Sequence, residues 1–451
     1  MKVPANFPDK DVCIIGLGYV GLTLAVAMAE VGFHVFGVEK DPHIVKCVED
    51  GHAHFQEVGL DIRLQAQRGN GHIEVSQAMP TPGRCRVYVI TVGTPVTSDK
   101  QTNLDAIAAV ARMVAENLRQ GDLIVLRSTV RVGVSRGVVK PIFDKAGVNY
   151  DLVFCPERTL EGKALIELRT LPQIVGGLTD EACLRVTQVF NCLTPTTIRV
   201  RDLETAEMIK LINNTQRDLM FAFANEVASM CDTIGVSAIE VIRAGNMGYS
   251  RAGMPVPGPV GGPCLEKDPY ILAESVQIRG GEMPMLPMLS RRLNEQVPAD
   301  AVEQIHKVCE ARRLDLTQKK VVIAGLAFKG RPETSDLRGT LAFALIAAIR
   351  ARVPGAKLYG YDPMLGEAEI RGCGLEPIAD RDGLFKDSAL VIFQNNHPSF
   401  ERFDLNNLSQ LMVPDAVIYD FWAQFNIEEL ALRSDVSYFG LGTRVDLGER
   451  A

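Results

Sequence analysis

The chain has 451 residues, too many for one ordinary core, so two or three domains are expected. Its apolar fraction of 47% and charged fraction of 23% are those of a globular protein, and its net charge of −7 argues against a general nucleic-acid or anionic-membrane binder. A local cluster of Arg and Lys could still hold a small anion.

No apolar run reaches the length of a membrane span, and the opening "MKVPANFPDKDV" lacks the apolar centre of a secretory signal; a cytoplasmic location is expected. The ten cysteines are scattered without a CxxC pair, and most read as small buried hydrophobes in a reducing compartment. His52 and His54 have no partner ligands nearby, so no structural metal is expected.

From the N-terminus, "DVCIIGLG", "HVFGVEKD", "RVYVITVG", "DLIVLRSTV" and "YDLVFCPE" read as strands, with "GYVGLTLAVAMAEVG" and "NLDAIAAVARMVAENL" as helices between them. Continuous hydrophobicity in the strands suits a parallel sheet covered on both faces, hence an α/β doubly wound domain over residues 1–200. "IIGLGYVG" sets Gly16, Gly18 and Gly21 between strand and helix: the first for the tight turn, the second for close approach of a pyrophosphate, the third for helix–strand packing. Glu39, at the end of the second strand, suits the adenosine ribose hydroxyls and would repel a 2′-phosphate, which favours NAD over NADP.

A central region, 201–317, opens on "RDLETAEMIKLINNTQRDLMFAFANEVASMCDTIG", a helix of about 30 residues and ~45 Å. Asp202, Glu204 and Glu207 favour its start and Gly235 its end; Ser237 and Glu240 are spaced as a capping box for the next helix. Its middle is apolar around much of its circumference and needs burial on more than one side, between domains and against a second copy of the chain, which predicts a homodimer or a higher homo-oligomer. The stretch "GNMGYSRAGMPVPGPVGGPC" cannot be helical, and a long irregular loop in a compact protein is usually functional. A third region, 318–451, repeats the short apolar strands in "KKVVIAGLAFKG", "KLYGYDP", "ALVIFQNN" and "AVIYDFW"; no residue-level repeat links it to the first.

Two pairs carry chemistry. Lys210 and Asn214 share a helix face, and among apolar neighbours they need a partner. Cys264 and Asp268 have the same spacing where the Gly/Pro loop meets a helix, and a helix N-terminus beside a lysine favours the thiolate. Taken singly, the first pair reads rather as a solvated polar stripe and the second as a structural cysteine.

The glycine turn, "TVGTP", "STV", "PERTLEG", "KLINN", "GGPCLEKD" and "GLAFKGRPETSDLRG" occur in this order over nearly the whole chain. This ordered set resembles the nucleotide-sugar 6-dehydrogenases, the family of UDP-glucose and UDP-N-acetylhexosamine dehydrogenases. The resemblance implies two Rossmann-like domains joined by the long helix. It also implies oxidation of a sugar C6 alcohol to a carboxylate with reduction of two NAD. Cys264 would capture the aldehyde as a thiohemiacetal and carry it to a thioester. Lys210 and Asn214 would stabilise the oxygen at C6, and Asp268 would orient a water or Lys210. Thr129 and Glu161 match water-handling positions, with Glu161 as hydrolytic base and Glu157 in support. The resemblance also puts Tyr19, Val20, Thr94, Pro95, Thr129 and Lys267 at the cofactor. At the substrate it puts Glu157, Arg158, Lys210, Asn214, Arg251, Gly261, Lys329 and Arg338, with Arg251 reaching the partner subunit's substrate.

Arg158 and "RAGMPVPGPVGGPC" look more like the N-acetylhexosamine branch (mannosamine or glucosamine), whereas "KD" after the cysteine is closer to the UDP-glucose pattern; the balance leans to the former. A two-electron hydroxyacid dehydrogenase shares the cofactor fold and a Lys/Asn helix but has no use for Cys264. A non-catalytic NAD-binding redox sensor has no need of Lys210, Asn214, Cys264 and Asp268 together.

Overall fold

Strands β1 (Asp11–Ile15), β2 (His34–Val38), β3 (Ile73–Ser76), β4 (Val87–Ile90), β5 (Asp122–Leu126), β6 (Tyr150–Phe154), β7 (Gln173–Gly177) and β8 (Thr197–Arg199) form one sheet in the order β3-β2-β1-β4-β5-β6-β7-β8. All neighbours are parallel except β6 and β7. These come from a computed structural model that describes residues 2–97 and 99–443; the end of the expected third region, 444–451, lies outside them. Alternate residues of β1 feed separate cores, Val12 and Ile14 on one face, Cys13 and Ile15 on the other. That double burial is why the strand reads as an unbroken apolar run.

The chain divides into two units. The first runs to Asn214 and takes in Lys267–Pro284; the second comprises Thr215–Glu266 and the chain from Met285 onward. In the second, β9 (Lys320–Ala324), β10 (Lys357–Tyr361), β11 (Glu376–Pro377), β12 (Ser388–Phe393), β13 (Val417–Asp420) and β14 (Ser437–Gly440) make a parallel sheet ordered β11-β10-β9-β12-β13-β14. The winding repeats that of β1–β6. Each sheet therefore reverses its strand order beside its first strand, the place where open α/β sheets bind ligands.

The repetition extends to backbone detail. Gly16 (φ 92°) and Gly325 (φ 85°) follow the first strand of each sheet in the left-handed region. Their N–H groups donate to the last residue of the second strand, Val38 and Tyr361, both at 2.8 Å. The next carboxylate, Glu39 or Asp362, accepts from the leucine after the glycine, Leu17 at 2.8 Å and Leu326 at 2.6 Å.

The long helix spans Leu203–Ile234, 32 residues or ~48 Å. Asp202 caps it through the Thr205 N–H at 2.8 Å, and Gly235 (φ 83°) ends it, its N–H donating to the Cys231 carbonyl at 2.8 Å. Glu207 has a different job from the one its position suggests. Fully buried, it accepts the Gly133 and Ser135 N–H groups at 2.6 and 2.9 Å and so fixes the loop after β5. Further along, Met220, Phe223, Met230 and Ile234 lie within one quarter of the helix circumference and are exposed. Ser237 accepts the Glu240 N–H and caps the helix Ala238–Asn246. No helix among the described residues is long and apolar enough to cross a membrane.

Candidate active site

In the first unit the glycine turn joins β1 to the helix Tyr19–Val31. A Cβ on Gly21 would meet the Gly16 carbonyl at 1.9 Å, so only glycine lets helix and turn close this tightly. Thr91 donates its hydroxyl to the same carbonyl at 2.7 Å. A Cβ on Gly18 would meet nothing within 4 Å, so open space faces the helix N-terminus. No side chain caps that end, and the N–H groups of Tyr19 and Val20 suit a pyrophosphate there. Glu39 is buried at the end of β2, taking the Leu17 N–H on Oε2 and the Asp41 N–H at 3.1 Å on Oε1. Each oxygen keeps acceptor capacity for a ribose hydroxyl. The residues present fit NAD. Thr94 and Thr129 follow β4 and β5, and the Thr94 hydroxyl donates to the Thr129 carbonyl; Asn103 donates its N–H to the Pro95 carbonyl at 2.9 Å.

Lys210, Asn214, Asp268 and Glu157 are all buried in this unit. The Asn214 amide donates to Asp268 Oδ2 at 2.6 Å, and Lys267 holds Oδ1 at 2.9 Å. Both oxygens of Asp268 are thus engaged by Asn214 and Lys267 rather than by Lys210. Glu157 lies on Arg127, which is buried beneath the sheet end and donates from Nε at 3.0 Å and Nη2 at 2.5 Å. Glu157 Oε1 accepts the N–H groups of Arg158 and Thr159 at 2.7 and 2.9 Å. Burial alone would raise its pKa, but the Arg127 charge, the backbone donor and Lys210 prevail and hold the carboxyl below its ordinary range. The influence of Lys210 puts its ammonium within electrostatic reach of Glu157. Arg158 sends its guanidinium to the Pro172 carbonyl, and burial lowers its pKa. Glu161 sits between Leu160 and Gly162, close enough to Tyr19 for its charge to be felt there.

In the second unit Cys264 lies in a single helical turn, Gly262–Leu265, and is exposed. Seven of the other nine cysteines are buried, Cys47 and Cys192 partly so; burial lifts the Cys155 thiol to about 11 and Cys309 to about 12, where they stay protonated. The turn carrying Cys264 packs on the segment after β9. A Cβ on Gly261 would lie 2.1 Å from the Gly339 carbonyl, and one on Gly262 (φ 92°) 2.4 Å from the Phe328 ring. The Gly262 N–H donates to the Gly339 carbonyl at 2.8 Å. Upstream, Asn225 of the long helix takes the Gly258 N–H at 2.8 Å and returns a bond to its carbonyl at 3.1 Å, clamping the Gly/Pro loop.

Lys329 and Arg338 flank Phe328 and Gly339 in sequence, so their segment backs the cysteine turn. The Lys329 ammonium sits 5.1 Å from the Phe328 ring centre, and Arg338 is folded onto Asp336 at 2.6 Å. Arg251 is exposed, its guanidinium 4.7 Å over the Tyr249 ring. Sequence reading missed Arg127, Glu57 and Asp362. A lone charge in the apolar "LIVLRSTV" was the available signal for Arg127; nothing local distinguished the other two.

A doubly wound sheet with an open glycine turn after its first strand and a buried carboxylate after its second defines an NAD-dependent dehydrogenase fold. Matches to the NAD binding domain (residues 10–194), the central domain (204–296) and the UDP binding domain (322–427) show that the chain belongs to the UDP-glucose/GDP-mannose dehydrogenase family. It is an NAD-dependent UDP-sugar dehydrogenase. It is 28% identical over 408 residues to a UDP-N-acetyl-D-mannosamine dehydrogenase of Pyrococcus horikoshii, covering 89% of this chain and 93% of the relative. It is 30% identical over 420 residues to an NDP-N-acetyl-D-galactosaminuronic acid dehydrogenase of Ralstonia nicotianae, covering 90% and 95%. Among solved structures, a UDP-glucose dehydrogenase of Pyrobaculum islandicum is similar with a TM-score of 0.85 at 26% identity, covering 98% and 99%.

Proposed function

We propose that this protein oxidises the C6 hydroxyl of a UDP-N-acetylhexosamine to the uronate in two steps, holding the intermediate on Cys264. The observation that carries this reading is the exposed Cys264 thiol on a glycine-only turn backed by the Lys329–Arg338 segment. The two relatives named for N-acetylhexosamine derivatives support the sugar class. UDP-glucose is the second reading, favoured by the Lys267–Asp268 pair after the cysteine and by the Pyrobaculum structure.

Gly16, Gly18, Gly21, the Tyr19 and Val20 N–H groups, Glu39, Thr94, Pro95 and Thr129 would hold NAD, which when bound would accept the hydride in each oxidation. Lys210 steadies the developing C6 oxyanion, and Asn214, aligned by Asp268, donates its second amide hydrogen to it. The Cys264 sulfur adds to the C6 aldehyde. After the second oxidation the resulting thioester is cut by a water that Thr129 positions and Glu161 deprotonates. Glu157, Arg158, Gly261, Lys329 and Arg338 bind the nucleotide-sugar, the cations answering its diphosphate.

In this reading residues 1–200 serve the cofactor, 201–317 the chemistry and 318–451 the UDP-sugar. A second copy of the chain covers the exposed stripe of the long helix and brings Arg251 to its neighbour's substrate, in the cytoplasm. Counting NADH formed per sugar consumed over a panel of UDP-sugars tests the reading. Two with a UDP-N-acetylhexosamine supports it; one points to a simple dehydrogenase, and none to a binding module.

A further inference from the structure

The loop 157–163, which carries Glu161, is anchored at three points within the first unit. Glu157 takes the N–H groups of Arg158 and Thr159 at its start, and Glu167 takes the Leu160 N–H at 2.6 Å. Both anchors are local. The third comes from more than 100 residues away: Glu57 Oε2 accepts the Gly162 N–H at 2.8 Å and also receives the Tyr19 hydroxyl. The Gly162 N–H lies 2.9 Å from the Tyr19 oxygen as well, and the Tyr19 ring rests 4.9 Å from Phe55. Tyr19 is the first residue of the glycine-turn helix. One carboxylate oxygen therefore ties the cofactor turn to the residue following Glu161.

We infer that Glu57 is a positioning residue that sets Glu161 for thioester hydrolysis by latching its loop to the cofactor turn through Tyr19. The inference rests on the proposed function, since it needs a covalent intermediate to hydrolyse. In that step a water oxygen bonds to C6 and the C6–S bond breaks. The electron pair returns to the Cys264 sulfur, and one water proton passes to Glu161; nothing is oxidised or reduced. A loop displaced by an ångström loses this step by about a hundredfold, while the two preceding oxidations, which do not use Glu161, continue.

The test combines rapid-mixing NADH formation with mass spectrometry of acid-quenched enzyme, on wild type, Glu57→Ala, Glu57→Gln and Tyr19→Phe. Glu57→Ala is expected to keep a burst of two NADH per subunit, to lose steady-state turnover by at least about tenfold, and to accumulate the sugar acyl on Cys264. Glu57→Gln, which can still accept both donors, recovers most of the turnover, and Tyr19→Phe shows a smaller loss of the same kind. Unchanged turnover in Glu57→Ala overturns the inference. So does a burst that falls in step with turnover and leaves no acyl-enzyme, the outcome of a merely structural role; if Glu57→Ala does not fold, Tyr19→Phe decides on the same criteria. A wild type that yields fewer than two NADH per sugar overturns the proposed function itself, whatever the variants do.

Discussion

Asn214 and Asp268 meet at 2.6 Å, both buried, although 54 residues separate them. Each is the second member of an i,i+4 pair, Lys210/Asn214 on the long helix and Cys264/Asp268 at the loop-to-helix junction. The hydrogen bond explains what a buried amide and a buried carboxylate are doing in an apolar setting: each satisfies the other, and Lys267 balances the charge. It engages one amide hydrogen of Asn214, and the proposed function assigns the other to the C6 oxygen.

Asp268→Ala removes the acceptor that aligns Asn214 and the charge that holds Lys267. The expected result is a fall in kcat of about 100-fold, the size seen when one oxyanion donor is lost, with the Kd for NAD nearly unchanged. Steady-state kinetics with calorimetric NAD binding checks this. A change in NAD affinity as large as the change in kcat would contradict the assignment.

Glu157 is held below its ordinary value of about 4.5. A lowered carboxyl contributes stability above the unfolded-chain value, and that contribution is lost as pH falls through the folded value. Arg127→Met leaves the carboxylate buried without its main partner, a cost of about 3–5 kcal/mol near pH 8. Protonation of Glu157 relieves this variant at lower pH, so its deficit against wild type shrinks from pH 8 to pH 5. Thermal midpoints at the two pH values check it, and an equal deficit at both would show the ion pair to be irrelevant.

Gly262→Ala places a methyl group 2.4 Å from the Phe328 ring at a φ of 92°. The turn must shift, and Cys264 moves with it. Turnover is expected to drop about 100-fold with the NAD-binding unit intact. Wild-type turnover in this variant would mean that the close approach on Phe328 does not position the thiol.

Phe223→Lys with Met230→Lys puts two charges in the exposed stripe of the long helix. Sedimentation should then show a monomer where the unmodified chain shows a dimer. A monomeric unmodified chain, or a dimer unaffected by both charges, removes the reason given for the stripe.

Much of this was legible in the sequence because the signals are local. The glycine turn, the buried parallel strands and the long helix between Asp202 and Gly235 are each written in contiguous residues, and the structure has them where expected. The short strands β3, β7, β8, β11 and β14 escaped notice. They have two to five residues, and β3, β8 and β11 are only partly buried, so they carry little periodic signal. The kinship of the two sheets was hidden for another reason. The second turn keeps Gly325 and Leu326 but has Ala327 where the first has Gly18, and Asp362 where the first has Glu39. What is shared is a backbone conformation and a carboxylate acceptor rather than a residue string. Arg127, Glu57 and Asp362 act through partners from about 30 to more than 100 residues away, which no window along the chain can display.

The most direct measurement of the central claim is uronate formation by Cys264→Ala, with NAD affinity determined on the same preparation. The account predicts no uronate and an unaltered NAD Kd. Uronate output equal to wild type, or a loss of NAD binding as severe as the loss of product, would contradict it.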